Sequence, residues 1–185
     1  MGTINTYTAY HATDKSNVSS ILKRNFLFHS KDTHWLGDGV YFFLDKGLAI
    51  AWGNNCPTKK YGKITIPAII ECIISVDDDF VCDMRQLQTY NRVKNAFDIF
   101  WGSVYKAPCT AKYDDAFFEK LECAFFNWLT KKLSLKCIVC VFQKRLLPVE
   151  ETEFDTHFRK FGIPYVEIQL CIKDISHIAN RKQIL

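Results

Sequence analysis

The chain has 185 residues, of which 48% are hydrophobic, and this is enough to build the core of one domain spanning residues 1–185. Its eight cysteines are scattered, with no secretory leader and no spacing typical of a disulfide framework, so we expect a cytoplasmic protein. No apolar stretch approaches the ~20 residues of a membrane helix, and a net charge of +4 is compatible with an anionic ligand without requiring one.

The first elements are a strand and a helix. Residues 5–11 alternate and are rich in β-forming side chains, which predicts a strand that ends at His11. Asp14 or Ser16 can cap a helix that runs to about Arg24, because its apolar side chains recur on one face.

An acidic residue between two glycines marks the next turn. The apolar segment 26–28 predicts a short second strand, and residues 29–35 predict a polar loop. Residues 37–39 (Gly-Asp-Gly) then predict a tight turn. One β-branched and three aromatic residues follow at 40–43, and they predict a strand whose side chains can stack against a flat ring.

The middle of the chain predicts further regular elements. Residues 48–52 predict a helix, and the basic segment 54–63 predicts an exposed loop. Residues 66–76 form the most apolar run and predict a central strand. The acids at 77–79 lack the pattern of a calcium loop and predict a solvated turn.

The second half alternates helices and strands. Its apolar spacing predicts helices over 84–105 and 117–132, strands over 135–142 and 165–171, and a charged connection over 143–159. Cys137 and Cys140 lie inside an apolar run, without a second pair or a nearby histidine. They therefore predict a strand and no metal site.

Three features of the N-terminal half belong together. His11 and Thr13, the run 37–42 (Gly-Asp-Gly-Val-Tyr-Phe) and Trp52 resemble the NAD-binding pocket of the diphtheria-toxin-like, poly(ADP-ribose) polymerase-like ADP-ribosyltransferases. The resemblance is strongest over residues 7–53. It implies an α+β fold, with two packed, mainly antiparallel β-sheets and flanking helices around an NAD cleft. It also implies that NAD is a substrate.

The resemblance gives individual residues their expected roles. His11 is expected to bind the adenosine ribose, while Tyr41 and Trp52 stack the nicotinamide ring, although core packing of a short helix explains Trp52 equally well. Ala12 replaces the usual Gly, which is tolerable because backbone groups make that contact. Ala49 falls where many relatives carry a Ser. The expected NAD-binding residues are His11, Ala12, Thr13, Gly39, Tyr41, Ala49 and Trp52.

The third residue of the family's triad is usually a Glu on a late strand, and residues 163–178 resemble that strand. Spacing to Asp174 and Ile178 places Gln169 at the Glu position. Glu167 projects from the same face of the strand, so either side chain can reach the ribose. With Gln169 alone we expect mono-ADP-ribosylation or NAD cleavage rather than polymer elongation. The expected catalytic residues are His11, Tyr41, Glu167 and Gln169.

The resemblance implies a mono-ADP-ribosyltransferase that transfers ADP-ribose from NAD to RNA, DNA or protein and releases nicotinamide. The chain is similar in size to the small toxins of toxin–antitoxin and phage-defence systems, so an antitoxin protein is an expected partner. Neither a membrane nor a metal ion is expected as a partner. Two alternatives stay open: an RNA 2′-phosphotransferase, whose arginine cluster is not evident, and a degenerate module that binds NAD, ADP-ribose or a protein. Candidate acceptor contacts are His29, His34, Lys59, Lys60 and Lys63.

Overall fold

A sheet of seven strands with four helices packed against it forms the part of the chain that the computed structural model describes, which is residues 2–27, 30–55, 64–105, 113–142 and 166–185. The strands are β1 (Ile4–Asp14), β2 (Val40–Phe43), β3 (Pro67–Asp77), β4 (Val81–Asp83), β5 (Cys137–Phe142), β6 (Glu167–Ile172) and β7 (Ile178–Gln183). The helices are α1 (Lys15–Arg24), α2 (Lys46–Asn55), α3 (Leu87–Ile99) and α4 (Asp115–Leu133). The prediction of an α+β fold is confirmed.

The strands follow the order β4-β5-β6-β2-β1-β3-β7, and within the described residues only β4 and β5 run parallel. In the residues that the structure describes, the expectation of two packed sheets is wrong, because all seven strands belong to one sheet. β1 pairs with β3 from Ile4↔Asp77 to Asp14↔Pro67, and the same strand also pairs with β2 at Tyr10↔Phe43. This one registered pair joins what would otherwise be two separate groups of strands.

β1 and β2 separate beyond Tyr10↔Phe43, and we call this opening in the sheet the seam. The Leu44 amide donates to Ile168 O of the β6 segment, so the even-numbered backbone groups of β2 face β6 and the odd-numbered ones face β1. Ala12 and Tyr41 stand at the next facing positions of the ladder, but the register of the described strands ends before them. Backbone groups of both residues therefore point into the seam.

One face of the sheet packs against α1. Asp14 caps this helix by accepting from the Ser16 amide at 2.9 Å, and Val18 and Ile21 enter the core. The helix ends at Asn25, whose φ of 74° turns the chain. The predicted helix is confirmed. The predicted strand is confirmed except for its end, which lies at Asp14 rather than at His11.

The predicted strand at 26–28 is wrong for the residues that the structure describes. The Phe26 amide does not hydrogen-bond to a neighbouring strand. It donates instead to the Asn25 side chain at 2.9 Å. Its ring is buried edge-on against His11, 5.0 Å between ring centroids, and against Phe42, 5.2 Å. Tertiary packing thus explains the apolar residue Phe26, whereas Leu27 is exposed. Phe28 and His29 lie outside the described residues.

The other face of the sheet packs against α3 and α4. Asp114 caps α4 through the Phe117 amide at 2.9 Å. α3 continues into a wider turn over Phe100–Val104. Cys137 and Cys140 lie in β5, which confirms the predicted strand. The predicted segment 143–159 and most of the loop at 54–63, including Lys59, Lys60 and Lys63, lie outside the described residues.

Helix α2 lies over the seam. Leu48 and Ala49 are buried in one cluster with Ala12 of β1 and Phe43 of β2. Because the helix contacts both strands beside the opening, it fixes their separation. The predicted helix and the strand predicted over residues 66–76 are confirmed.

Candidate functional site

The Gly-Asp-Gly turn requires glycine at both ends. Gly37 has a φ of 73°, and a Cβ there would lie 2.5 Å from Asn127 Oδ1. A Cβ on Gly39 would lie 2.6 Å from Cys171 Sγ and 2.7 Å from the Ile172 carbonyl oxygen. The glycines therefore let the turn pack directly onto α4 and β6.

Asp38, at the centre of the turn, is held from several sides. Its amide donates to Asn127 Oδ1 at 2.7 Å. Its carboxylate Oδ2 accepts from Ser30 at 2.9 Å and from Asn127 Nδ2 at 3.2 Å. The Lys173 ammonium donates to the carbonyl oxygens of Leu36 and Asp38. Asn127 and Lys173 are far from the turn in sequence, and no motif pointed to them.

The hydroxyl and the ring of Tyr41 have different contacts. The hydroxyl donates to Gly37 O and accepts from the Leu36 amide, both at 2.8 Å. Burial raises the pKa of Tyr41, so the phenol stays protonated. The hydroxyl thus stabilises the turn, and the ring is the part of Tyr41 that lines the cavity described below.

His11 fills the seam from the α1 side. Its Nδ1 lies 2.8 Å from Tyr41 O, and its ring contacts Phe26 and Phe42. A carbonyl oxygen only accepts hydrogen bonds, so Nδ1 carries the proton and Nε2 is an acceptor. Burial lowers the pKa of His11, although the bond to Tyr41 opposes this, and the ring is neutral at neutral pH.

Gln169 and Glu167 form a hydrogen-bonded pair on β6, the strand that pairs with β2. Gln169 is in register with Phe43 and Cys140, so its side chain lies on the α4 face with Tyr41. Its Nε2 donates to Glu167 Oε1 at 2.9 Å, and the two residues are only 4% and 1% exposed. Gln169 is the member that lines the cavity. Because its nitrogen is turned to Glu167, its oxygen is the atom left for a ligand.

A cavity of about 590 Å³ passes through the seam. Its wall combines side chains from both faces of the sheet, with Ile21 and Phe26 from the α1 side and Tyr41 and Phe43 from the other. The predicted residues that the cavity brings together are His11, Ala12, Thr13, Gly39, Tyr41, Trp52 and Gln169.

Ala49 and Glu167 are the two predicted residues outside this wall. Ala49 is fully buried beneath it in α2, and Glu167 contacts the cavity through Gln169. Trp52 lies beside Phe43, with ring centroids 6.4 Å apart. The sequence predicted that Trp52 and Tyr41 stack the same ring. In the structure, Trp52 contacts the ring of Phe43, which belongs to the same strand as Tyr41.

Polar residues of α1 and the following loop also line the cavity, and of these the sequence analysis had named only His34, as a candidate acceptor contact. Asn17 and Ser20 lie on the exposed face of α1, and Lys31 and His34 follow in the loop. Their signal in the sequence was the i, i+3 spacing of Asn17 and Ser20 on one helix face beside a strand that ends at a candidate site.

Two absences hold for the described residues. They contain no group of three or more His, Cys, Asp or Glu side chains placed to bind a metal ion. None of the four described helices has the length and apolar character needed to cross a membrane.

Comparison with known proteins gives one partial similarity. No family model matches the chain, and no solved structure matches it significantly. A segment of 82 residues, 44% of the chain, is 39% identical to the uncharacterized protein MJ0359 of Methanocaldococcus jannaschii, and it covers 38% of that protein. The name of this relative states no activity.

Proposed function

We propose that the protein is an NAD-dependent mono-ADP-ribosyltransferase that transfers ADP-ribose to a macromolecular acceptor and releases nicotinamide. The observation that carries the proposal is the seam, where the His11 ring, the Ala12 backbone, the Tyr41 ring and the Gln169 amide meet at one cavity. A volume of about 590 Å³ is in the range of small-molecule and cofactor sites.

The seam offers a place for the nicotinamide carboxamide. The Ala12 N–H and C=O point into the opening, because Tyr10 two residues earlier uses the same side to pair with Phe43. A carboxamide needs one acceptor and one donor, and a backbone residue supplies both. Tyr41, Phe43 and Trp52 supply aromatic surface for the ring.

Gln169 is placed to act on the ribose. Cleavage of the bond between nicotinamide and ribose develops positive charge on the sugar, and an oxygen acceptor at the ribose hydroxyls stabilises it. The Glu167 carboxylate accepts from Gln169 Nε2 and so polarises the amide toward a more negative oxygen. An amide is no general base, which supports transfer of single ADP-ribose groups rather than polymer growth.

His11 positions the donor. Its Nδ1–H is bound to Tyr41 O, which leaves Nε2 to accept from a hydroxyl of the adenosine ribose. Asn17 and Ser20 of α1 and Lys31 provide polar and cationic contacts on the same side of the cavity, suited to the pyrophosphate. RNA, DNA or protein is the acceptor in this proposal, and an antitoxin protein is a partner suggested by the resemblance alone.

A binding module without turnover is the second candidate. It is favoured by Gln169 at the position of the usual acid and by Ala49, which has no hydroxyl to offer and is fully buried. Such a module would bind NAD through the same seam and release no nicotinamide.

Release of nicotinamide from NAD labelled in the adenine moiety separates these functions. Wild-type protein is offered total RNA, DNA and protein pools separately, beside Gln169→Ala and the exposed control Gln183→Ala. We expect release, label on one pool, and a rate reduced at least about tenfold in Gln169→Ala only. Saturable NAD binding without release identifies the binding module. Neither binding nor release contradicts both, and transfer to 2′-phosphorylated RNA indicates the phosphotransferase.

A further inference from the structure

His34 and Asp38 form a second titratable pair in the wall of the cavity. His34 Nδ1 lies 3.6 Å from Asp38 Oδ1, and both atoms are buried without a hydrogen-bond partner among the described residues. The His34 side chain as a whole keeps 17% exposure and lines the cavity. Nε2 is not among these buried atoms, so it is the ring nitrogen that a molecule in the cavity can reach.

Asp38 cannot easily turn away from His34. Its Oδ2 is bound by Ser30 and Asn127, and its backbone is bound by Asn127 and Lys173. Oδ1 is the carboxylate oxygen left over, and it faces His34. A hydrogen bond requires an approach of roughly half an ångström, which is within ordinary side-chain motion.

The residues already assigned to NAD supply no obvious base for the acceptor. Gln169 is an amide, the Tyr41 hydroxyl is bound to the turn, and Glu167 is covered by Gln169. A histidine oriented by a carboxylate is the usual arrangement for activating a hydroxyl. His34 is the residue of the cavity wall that has this arrangement.

We propose that His34 is the general base of the transfer and that Asp38 is its positioning residue. This inference rests on the proposed function. Nε2 of His34 takes the proton from an acceptor hydroxyl or from water, and the acceptor oxygen bonds to C1 of the ribose. The bond from C1 to the nicotinamide nitrogen breaks, and its electron pair leaves with nicotinamide, which departs neutral. Asp38 accepts from Nδ1–H and stabilises the imidazolium that forms.

The charges around His34 suit a base at neutral pH. Burial lowers the pKa of His34, the Asp38 carboxylate raises it, and the Lys31 and Lys173 ammonium groups lower it. The Cys123 thiol and the Tyr41 ring also face this histidine. The net pKa lies below the ordinary value, so the ring is neutral at pH 7 and able to accept a proton. Activity should fall as the pH drops through that pKa.

Nitrogen NMR of the imidazole rings tests the pair without NAD. In wild type we expect the Nδ1–H tautomer of His34. In Asp38→Asn the side-chain oxygen stays with Ser30 and Asn127, so its NH₂ group donates to Nδ1 and the tautomer changes to Nε2–H. His177, half-buried and bound to Ser75 O at 2.9 Å, is the internal control. The same His34 tautomer in both proteins would overturn the pairing.

Kinetics tests the role of the base. We expect His34→Gln to reduce kcat about 100-fold and to leave KM for NAD unchanged. The acid limb of the pH profile should disappear in this variant. Added imidazole should restore activity to His34→Ala. His177→Gln should behave as wild type. Normal kcat in His34→Gln, with nicotinamide released by wild type, contradicts this inference alone. No release by wild type contradicts the proposed function and the base together, and the NMR result still decides the pairing.

Discussion

Tyr41 shows how one side chain serves both the turn and the cavity. An aromatic residue after Gly-Asp-Gly predicted a ring for stacking, but the structure adds two hydrogen bonds from its hydroxyl to the turn itself. The ring cannot move without breaking them, so the residue whose ring lines the cavity also fixes the turn that carries Asp38.

We predict that Tyr41→Phe destabilises the fold while keeping the aromatic surface. The substitution removes the partner of the Leu36 amide and leaves the Gly37 carbonyl with the Cys171 thiol alone, at 3.8 Å. The loss costs about 1–3 kcal/mol when such groups are buried. Urea unfolding measures this, with the exposed Tyr90→Phe as the control. Equal stability of Tyr41→Phe and wild type would show that the hydroxyl does not hold the turn in solution.

His11 gives the fold an acid-sensitive point. Its folded-state pKa is lowered by burial, so the unfolded chain binds the proton more readily. The stability that neutral His11 contributes is present above its ordinary pKa of about 6.5 and is lost as the pH falls below it. We predict a smaller loss of stability between pH 7.5 and 5.5 in His11→Gln than in wild type or His177→Gln, by urea unfolding. Parallel losses in all three would contradict it.

The turn between the loop and β2 is the element on which the site depends. Gly39 is packed so closely on β6 that a methyl group has no space beside Cys171 and Ile172. Gly102, in the turn after α3, has no neighbouring heavy atom within 4 Å of its hypothetical Cβ among the described residues.

We predict that Gly39→Ala destabilises the protein by about 1–3 kcal/mol through overpacking, and that it weakens ligand binding because β2 must move away from β6. Gly102→Ala is the matched control and should stay within about 0.5 kcal/mol of wild type. Thermal and urea unfolding measure both variants. A Gly39→Ala protein as stable as the control would mean that the turn is not packed onto β6 as described.

The sequence predicted whether a segment forms a helix or a strand more readily than it predicted which segments pack or pair with each other. Alternation, apolar spacing, a cap and the glycine turn located β1, α1, β2 and α4, because these signals are local. The strand predicted over 26–28 was wrong because the burial of Phe26 depends on its tertiary contacts with His11 and Phe42. The spacing of Glu167 and Gln169 placed them on one face, but their hydrogen bond and the contact of Asn127 with Asp38 depend on tertiary structure. The pairing of Tyr10 with Phe43, and hence the seam, has no local signal.

At the scale of the whole molecule, the described strands form one sheet with a weak junction in its middle. β1 is bound to β3 along its length, β2 is bound to β6, and β1 and β2 share one registered pair in the described residues. A ligand in the seam would complete the ladder between the two groups of strands. The candidate site is therefore part of the sheet and not an addition to its surface.

Amide hydrogen exchange tests this arrangement within one strand. The Tyr41 amide faces the seam, whereas the Phe42 amide faces β6 in register with Leu170. We predict exchange at least about tenfold faster for Tyr41 than for Phe42 in the free protein, and selective slowing of Tyr41 when NAD is added. Equal protection of both amides without ligand would show that β1 and β2 pair further than Tyr10↔Phe43.

Calorimetric titration with NAD tests the central claim, that the seam is an NAD site, most directly. The measurement compares wild type with His11→Ala and the control His177→Ala. We predict one NAD bound per chain and a Kd raised at least about tenfold, or 1.4 kcal/mol, in His11→Ala alone. No saturable binding to wild type at millimolar NAD, or equal affinity in all three proteins, would contradict the claim.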